Sequence, residues 1–208
     1  ISKIKTDGIF QTIDAVKDKL NMPIPLGYCN VGTIIDLGSD VHNFKVGDRV
    51  VSNGSHAEIV NVPQNLCCKI PDDVSDEQAV FTILGSIGLQ GIRLSESSFG
   101  ETYLVIGLGL IGLLTAQLLI ANGCKVLGTD PDNDRCNLAK SFGVKIVDTF
   151  DKVSYCMDET SNVGVDCVII TASTKSNEPI TIACKTCRQR GRIVLVGNVG
   201  LDLKRELM

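Results

Sequence analysis

The sequence predicts an α/β chain in which a small antiparallel β unit precedes a doubly wound parallel sheet with helices on both faces. Residues 23–71 read as short apolar runs broken by Gly, Pro and Asn, the texture of a small barrel or sandwich. Beyond about residue 100, β-branched runs alternate with longer helical patterns, which implies a parallel sheet covered by helices. Size allows both: 208 residues, 44% hydrophobic and 21% charged, suit one large domain or two modest ones.

Taken in order, Ile1 to Leu20 is irregular, with a short helix expected over Gln11–Leu20. Strands are expected at Val31–Leu37, Asp48–Ser52, Ala57–Val62 and Cys67–Ile70, separated by Gly38-Ser39-Asp40, Asn53-Gly54 and Pro63. Ser75 before Asp76-Glu77 marks a helix entry, because its hydroxyl caps a free N–H and the acids complement the helix dipole. Helices are expected over Asp76–Leu84 and Ile87–Leu94. Strands then follow at Tyr103–Ile106, Lys125–Thr129, Lys145–Val147, Val165–Thr171 and Arg192–Val196, with helices at Leu110–Asn122, Asp132–Phe142 and Glu178–Arg188.

Several function classes drop out. A net charge of −4 and the absence of any Lys/Arg run give no footprint for nucleic acid or anionic lipid. Tyr103 to Ala121 is uncharged and nearly long enough to cross a bilayer, but its glycines and its flanks, Glu101 and Asn122-Gly123, read as a strand turning into a helix. Nine cysteines, an odd number without a signal peptide ahead of them, read as the reduced thiols of a cytoplasmic protein. The chain opens at Ile1 inside patterned sequence and is expected to be part of a longer one.

Chemistry concentrates where Tyr103–Ile106 runs into Gly107-Leu108-Gly109-Leu110-Ile111-Gly112, a G-x-G-x-x-G between a strand and an apolar helix. The first glycine permits the turn, the second lets backbone approach a diphosphate, and the third lets helix and sheet pack closely. Free N–H groups and the helix dipole hold the phosphates without a cationic side chain. Asp130 ends the next strand 21 residues beyond Gly109, the spacing of a carboxylate that accepts from ribose hydroxyls and repels a 2′-phosphate. NAD(H) is therefore expected ahead of NADP. Arg135 could accommodate a 2′-phosphate, but its helical pattern favours a solvated face. Thr171-Ala172-Ser173 and Gly197-Asn198-Val199 end two further strands and are expected to contact the cofactor in the crevice beyond the sheet.

With Phe44-Lys45-Val46-Gly47-Asp48-Arg49-Val50, His56-Ala57-Glu58, Val62-Pro63, Ile70-Pro71-Asp72 and Gly191 to Gly197, these motifs make the chain resemble the medium-chain dehydrogenase/reductase family, which includes the zinc alcohol dehydrogenases. Pro25-Leu26-Gly27-Tyr28, Ser55 to Glu58 and Val62 to Leu66 are most similar to its bi-domain oxidoreductases, often linked to surface polysaccharides. The resemblance implies a Rossmann-type sheet at 81–200, a partial GroES-like β-barrel domain at 1–80, and a segment at 201–208 that starts back toward the barrel. It also implies an oxidoreductase moving hydride between nicotinamide and the alcohol or carbonyl of a small molecule; the alternative is a dinucleotide-binding module without turnover. Zinc-dependent members carry Gly-His-Glu where this chain has Gly27-Tyr28-Cys29, and the structural-zinc lobe is absent, so no metal site and no zinc are expected. The resemblance implies that Tyr28 and Cys29 lie nearest the nicotinamide and makes Tyr28 the candidate proton donor, the alternative being a core tyrosine. Cys184-x-x-Cys187 lacks a second ligand pair and reads as structural thiols, and His56 as a packing or hydrogen-bonding residue. An apolar edge at Arg192–Val196 predicts self-association into a homo-oligomer.

Overall fold

The computed structural model describes residues 26–203, so the helix expected over Gln11–Leu20 lies outside the described residues. The chain divides after Val80 into two compact units.

In the first unit, β1 (Asn30–Thr33), β2 (Arg49–Ser52) and β3 (Cys67–Lys69) form an antiparallel sheet in that order. Val50, Val51 and Ile70 are buried there. Ala57–Val62, expected as a strand, is irregular; Ile59 is 71% exposed, and without a buried face or a paired neighbour such a segment gains little from strand geometry. Helix α1 (Asp76–Ala79) begins at a capping box: the Ser75 hydroxyl accepts from the Gln78 N–H, and Oε1 of Gln78 accepts from the Ser75 N–H. Arg49 ties β2 to this entry, pairing with Asp76 at 2.6 Å and donating to the Val74 carbonyl at 3.0 Å.

The second unit opens with α2 (Thr82–Leu94), so the helix break falls at Val80–Phe81 and not near Gly85. There follow β4 (Thr102–Ile106), α3 (Leu110–Ala121), β5 (Lys125–Thr129), α4 (Asn133–Ser141), β6 (Lys145–Ile146), α5 (Lys152–Glu159), β7 (Val165–Ile170), α6 (Glu178–Thr186) and β8 (Cys187–Leu195). The sheet runs β6-β5-β4-β7-β8, every pair parallel. The chain builds outward from β4 to β6, then returns to place β7 on the other side of β4. That reversal makes the carboxyl ends of β4 and β7 a topological switch point, where open α/β sheets take ligands.

Period-two alternation feeds two cores. Tyr103, Val105, Val126, Cys167 and Ile169 face one, and Leu104, Ile106, Leu127, Val168 and Ile170 face the other. Gly88 and Gly91 let α2 press close: a methyl group on Gly88 would lie 2.6 Å from the Thr115 hydroxyl, and one on Gly91 would lie 2.7 Å from Val196. The uncharged stretch Tyr103–Ala121 becomes β4, a turn and α3, and no helix among the described residues is long and apolar enough to cross a membrane. All nine cysteines are free. Burial pushes the Cys156 thiol up to about 11 and the Cys167 thiol up to about 12, leaving both protonated and unreactive near neutral pH.

Candidate functional site

The turn from β4 into α3 is built by its glycines. Gly107 has φ +98°, and a side chain there would also lie 2.6 Å from the Ala172 nitrogen. A side chain on Gly112 would strike the Gly107 carbonyl oxygen and crowd the Thr171 hydroxyl. Gly109 differs. It is the N-cap of α3, at φ −69° and ψ −171°, a conformation open to any residue. A Cβ on it would meet only Arg135, whose Nη1 lies 3.8 Å away. The fold does not require glycine there, and an N-cap normally favours Ser, Thr, Asp or Asn. What glycine provides is an open approach to the first turn of α3, where the N–H groups of Leu110, Ile111 and Gly112 precede the first helical bond, from Leu113 N–H to the Gly109 carbonyl.

Leu108 enters through its backbone. Its side chain is fully buried against Gly128, and its N–H donates to Oδ2 of Asp130 at 2.7 Å. Oδ1 of Asp130 accepts from the Asp132 N–H at 2.9 Å, and the side chain is 3% exposed. Arg135, half exposed, lies 3.7 Å from Asp130 and 3.5 Å from Asp132. Its place five residues after Asp130, on the first turn of α4, was the available signal that it borders the crevice.

The ends of β7 and β8 close the other side. The Thr171 and Ala172 N–H groups both donate to the Ile106 carbonyl, and the Thr171 hydroxyl donates to the Gly107 carbonyl at 2.5 Å. Gly197 packs against Ala172 so tightly that a side chain would strike its carbonyl oxygen, and the Asn198 carbonyl accepts from the Thr174 N–H at 2.9 Å. Val199 packs on the core beneath, while Ser173 is exposed. Gly107 to Gly112, Asp130, Thr171, Ala172 and Gly197 thus form one contiguous rim.

Tyr28 belongs to the first unit. It is 49% exposed, between Gly27 and Cys29, which both have positive φ. The His56 ring sits against Gly27, and its Nε2 lies 3.2 Å from the Tyr28 carbonyl oxygen. Among the described residues no group of three or more His, Cys, Asp or Glu side chains converges as metal ligands do.

Residues 4–72 match the model for the alcohol dehydrogenase GroES-like domain, and residues 111–207 match that for zinc-binding dehydrogenase. The chain is 29% identical over 175 residues to (R,R)-butanediol dehydrogenase of Bacillus subtilis, covering 69% of this chain and 50% of that protein. It is 36% identical over 122 residues to D-guloside 3-dehydrogenase of Escherichia coli, covering 57% of this chain and 35% of the relative. A mycobacterial structure complexed with NADPH superimposes with a TM-score of 0.73 at 26% identity, covering 91% of this chain and 63% of that one. The chain therefore spans between about a third and two thirds of the length of these proteins. Two family models in the right order, matched by an antiparallel sheet in the first unit and a five-stranded parallel sheet in the second, establish that the chain belongs to the medium-chain dehydrogenase/reductase family.

Proposed function

We propose that the chain is the nucleotide-binding part of an NAD(H)-dependent oxidoreductase acting on an alcohol or carbonyl of a polyol or sugar-like small molecule. The observation that carries this reading is Gly109: a glycine the fold does not need, at a helix N-terminus whose N–H groups are free, leaves room for a diphosphate. The names of the butanediol and guloside dehydrogenases support the substrate class.

When bound, the dinucleotide supplies the hydride donor or acceptor at its nicotinamide ring. The chain's residues bind and orient it. Leu110, Ile111 and Gly112 offer N–H donors to the diphosphate, Asp130 accepts from the ribose hydroxyls, and the segments Thr171 to Ser173 and Gly197 to Asn198 line the crevice toward the nicotinamide. Tyr28 is the proton donor in this reading, its hydroxyl carried on an exposed turn of the first unit. The residues present do not fit zinc: Tyr28 stands at the Gly27-Tyr28-Cys29 position, and no set of converging ligands surrounds it among the described residues. The reading accordingly takes the reaction as independent of zinc.

Asp130 sets the preference for NAD(H). Its carboxylate opposes a 2′-phosphate, and Arg135 at 3.7 Å offsets part of that charge. Replacing Asp130 by Ala removes charge-assisted hydrogen bonds, so NADH affinity is expected to fall about tenfold. NADPH affinity is expected to fall less, because the repulsion of its 2′-phosphate is lifted. Fluorescence titration of the variant with both cofactors measures this, and an unchanged ratio of the two affinities removes Asp130 from the ribose site.

A further inference from the structure

The peptide joining Gly107 to Leu108 is gripped on both edges by side chains from the two strands that flank β4. From the end of β7, the Thr171 hydroxyl donates to the Gly107 carbonyl at 2.5 Å. From the end of β5, Asp130 Oδ2 accepts from the Leu108 N–H at 2.7 Å. These are the two polar groups of a single amide plane. Its first residue is a glycine at φ +98°, free of the Cβ that would otherwise restrict rotation of that plane. The Gly107 carbonyl lies tight beneath Gly112, where a side chain would strike it, so water has little access to replace a lost donor. Valine has nearly the shape of threonine without its polar atom, so packing alone does not call for the hydroxyl.

We propose that Thr171 is a positioning residue for dinucleotide binding: together with Asp130 it fixes the Gly107–Leu108 peptide plane, and so aims the N–H groups of the following helix turn at the diphosphate. This rests on the dinucleotide reading above. It assigns Asp130 a second task, holding the phosphate turn as well as meeting the ribose, and it gives Thr171 a role that needs no contact with the ligand.

The test compares ADP-ribose, which carries the diphosphate, with adenosine, which does not, on the whole 208-residue chain by calorimetry. Thr171→Val is expected to weaken ADP-ribose about tenfold, as it would if about one chain in ten kept the peptide plane in the binding orientation, and to leave adenosine within about twofold. Thr171→Ser, which keeps the hydroxyl, is expected to bind ADP-ribose like the wild type. Hydrogen exchange on the unliganded wild-type chain gives a reading free of any folding defect: the Leu108 amide should be protected relative to those of Leu110 and Ile111. The proposal is overturned if Thr171→Val binds ADP-ribose as the wild type does, if both ligands weaken equally, or if the Leu108 amide exchanges as fast as its neighbours. A wild-type chain that binds neither ligand overturns the dinucleotide reading itself, a different result from a binding wild type with an indifferent variant.

Discussion

Arg192→Ala is expected to lower the stability of the second unit by about 3 kcal/mol, the scale of a broken, partly buried ion pair. Arg192 lies on β8 and crosses the amino-terminal end of the sheet. Its Nη1 donates to the Ser95 carbonyl at 2.6 Å and to the Glu96 carbonyl at 3.0 Å, just past the end of α2, and its Nη2 pairs with Glu101. Burial works against the charge on Arg192, but Glu101 outweighs it and holds the guanidinium more firmly protonated than usual. The network continues through Tyr103, whose hydroxyl meets the Ser95 hydroxyl at 2.8 Å. Truncation leaves the Glu101 carboxylate, 15% exposed, without its cation and two carbonyls without a donor. Because Arg192 is itself 26% exposed, solvent screens part of the loss, which sets the expectation near the low end for a broken buried pair. Urea unfolding followed by circular dichroism checks this. Arg192→Lys keeps the charge but not the fork, and should recover only part of the difference.

Gly112→Ala is expected to weaken dinucleotide binding at least tenfold and to cost about 1–3 kcal/mol of stability, the range for forcing extra atoms into a packed site. The added methyl group meets backbone as well as a side chain: the Gly107 carbonyl oxygen and carbon, and the Thr171 hydroxyl at 2.8 Å. Neither partner is a flexible side-chain tip. Either α3 moves off the turn or the Gly107–Leu108 peptide rotates, and both displace the N–H groups at the helix start. Calorimetric titration with NADH beside a thermal melt measures the two effects. Wild-type binding in Gly112→Ala would mean that the turn does not hold the ligand.

Much of the second unit was legible in the sequence because each strand carries an unbroken β-branched or apolar run bounded by Gly, Asn or a helical pattern. The strand Lys125–Thr129 has the bounds expected for it, and β4 and β7 differ from expectation by a single residue at one end. Helix α5 was missed. Val153 and Ser154 depress helix propensity, yet a signal existed: Asp151 caps the helix by accepting from the Ser154 N–H at 2.9 Å, and Val153, Cys156 and Met157 repeat at helical spacing. Strand β8 begins at Cys187, ahead of the expected Arg192, because Val165 pairs with Cys187 and Cys167 with Arg192 across an irregular stretch that periodicity does not show.

The glycine turn and Asp130 could be read from spacing, since each task belongs to one residue type at one offset. The bracing of the turn could not. Thr171 and Gly107 are 64 positions apart, and only the parallel pairing of β4 with β7 brings them together. Arg135 reads as a solvated helix residue and is half exposed, yet its guanidinium borders both Asp130 and the space over Gly109. The Arg192 network joins residues 91 to 97 positions apart and leaves no mark on local sequence.

The most direct measurement is an NADH titration, followed by nicotinamide fluorescence, of the wild-type chain and of Gly109→Val, with melting temperatures recorded for both. A Cβ at this N-cap meets only the movable Arg135 side chain, and the backbone there is extended as valine prefers, so the two proteins should melt within a few degrees of each other while only the wild type binds. A Gly109→Val protein that binds NADH as tightly as the wild type, or a folded wild type that does not bind at millimolar NADH, would contradict the placement of a diphosphate over this turn.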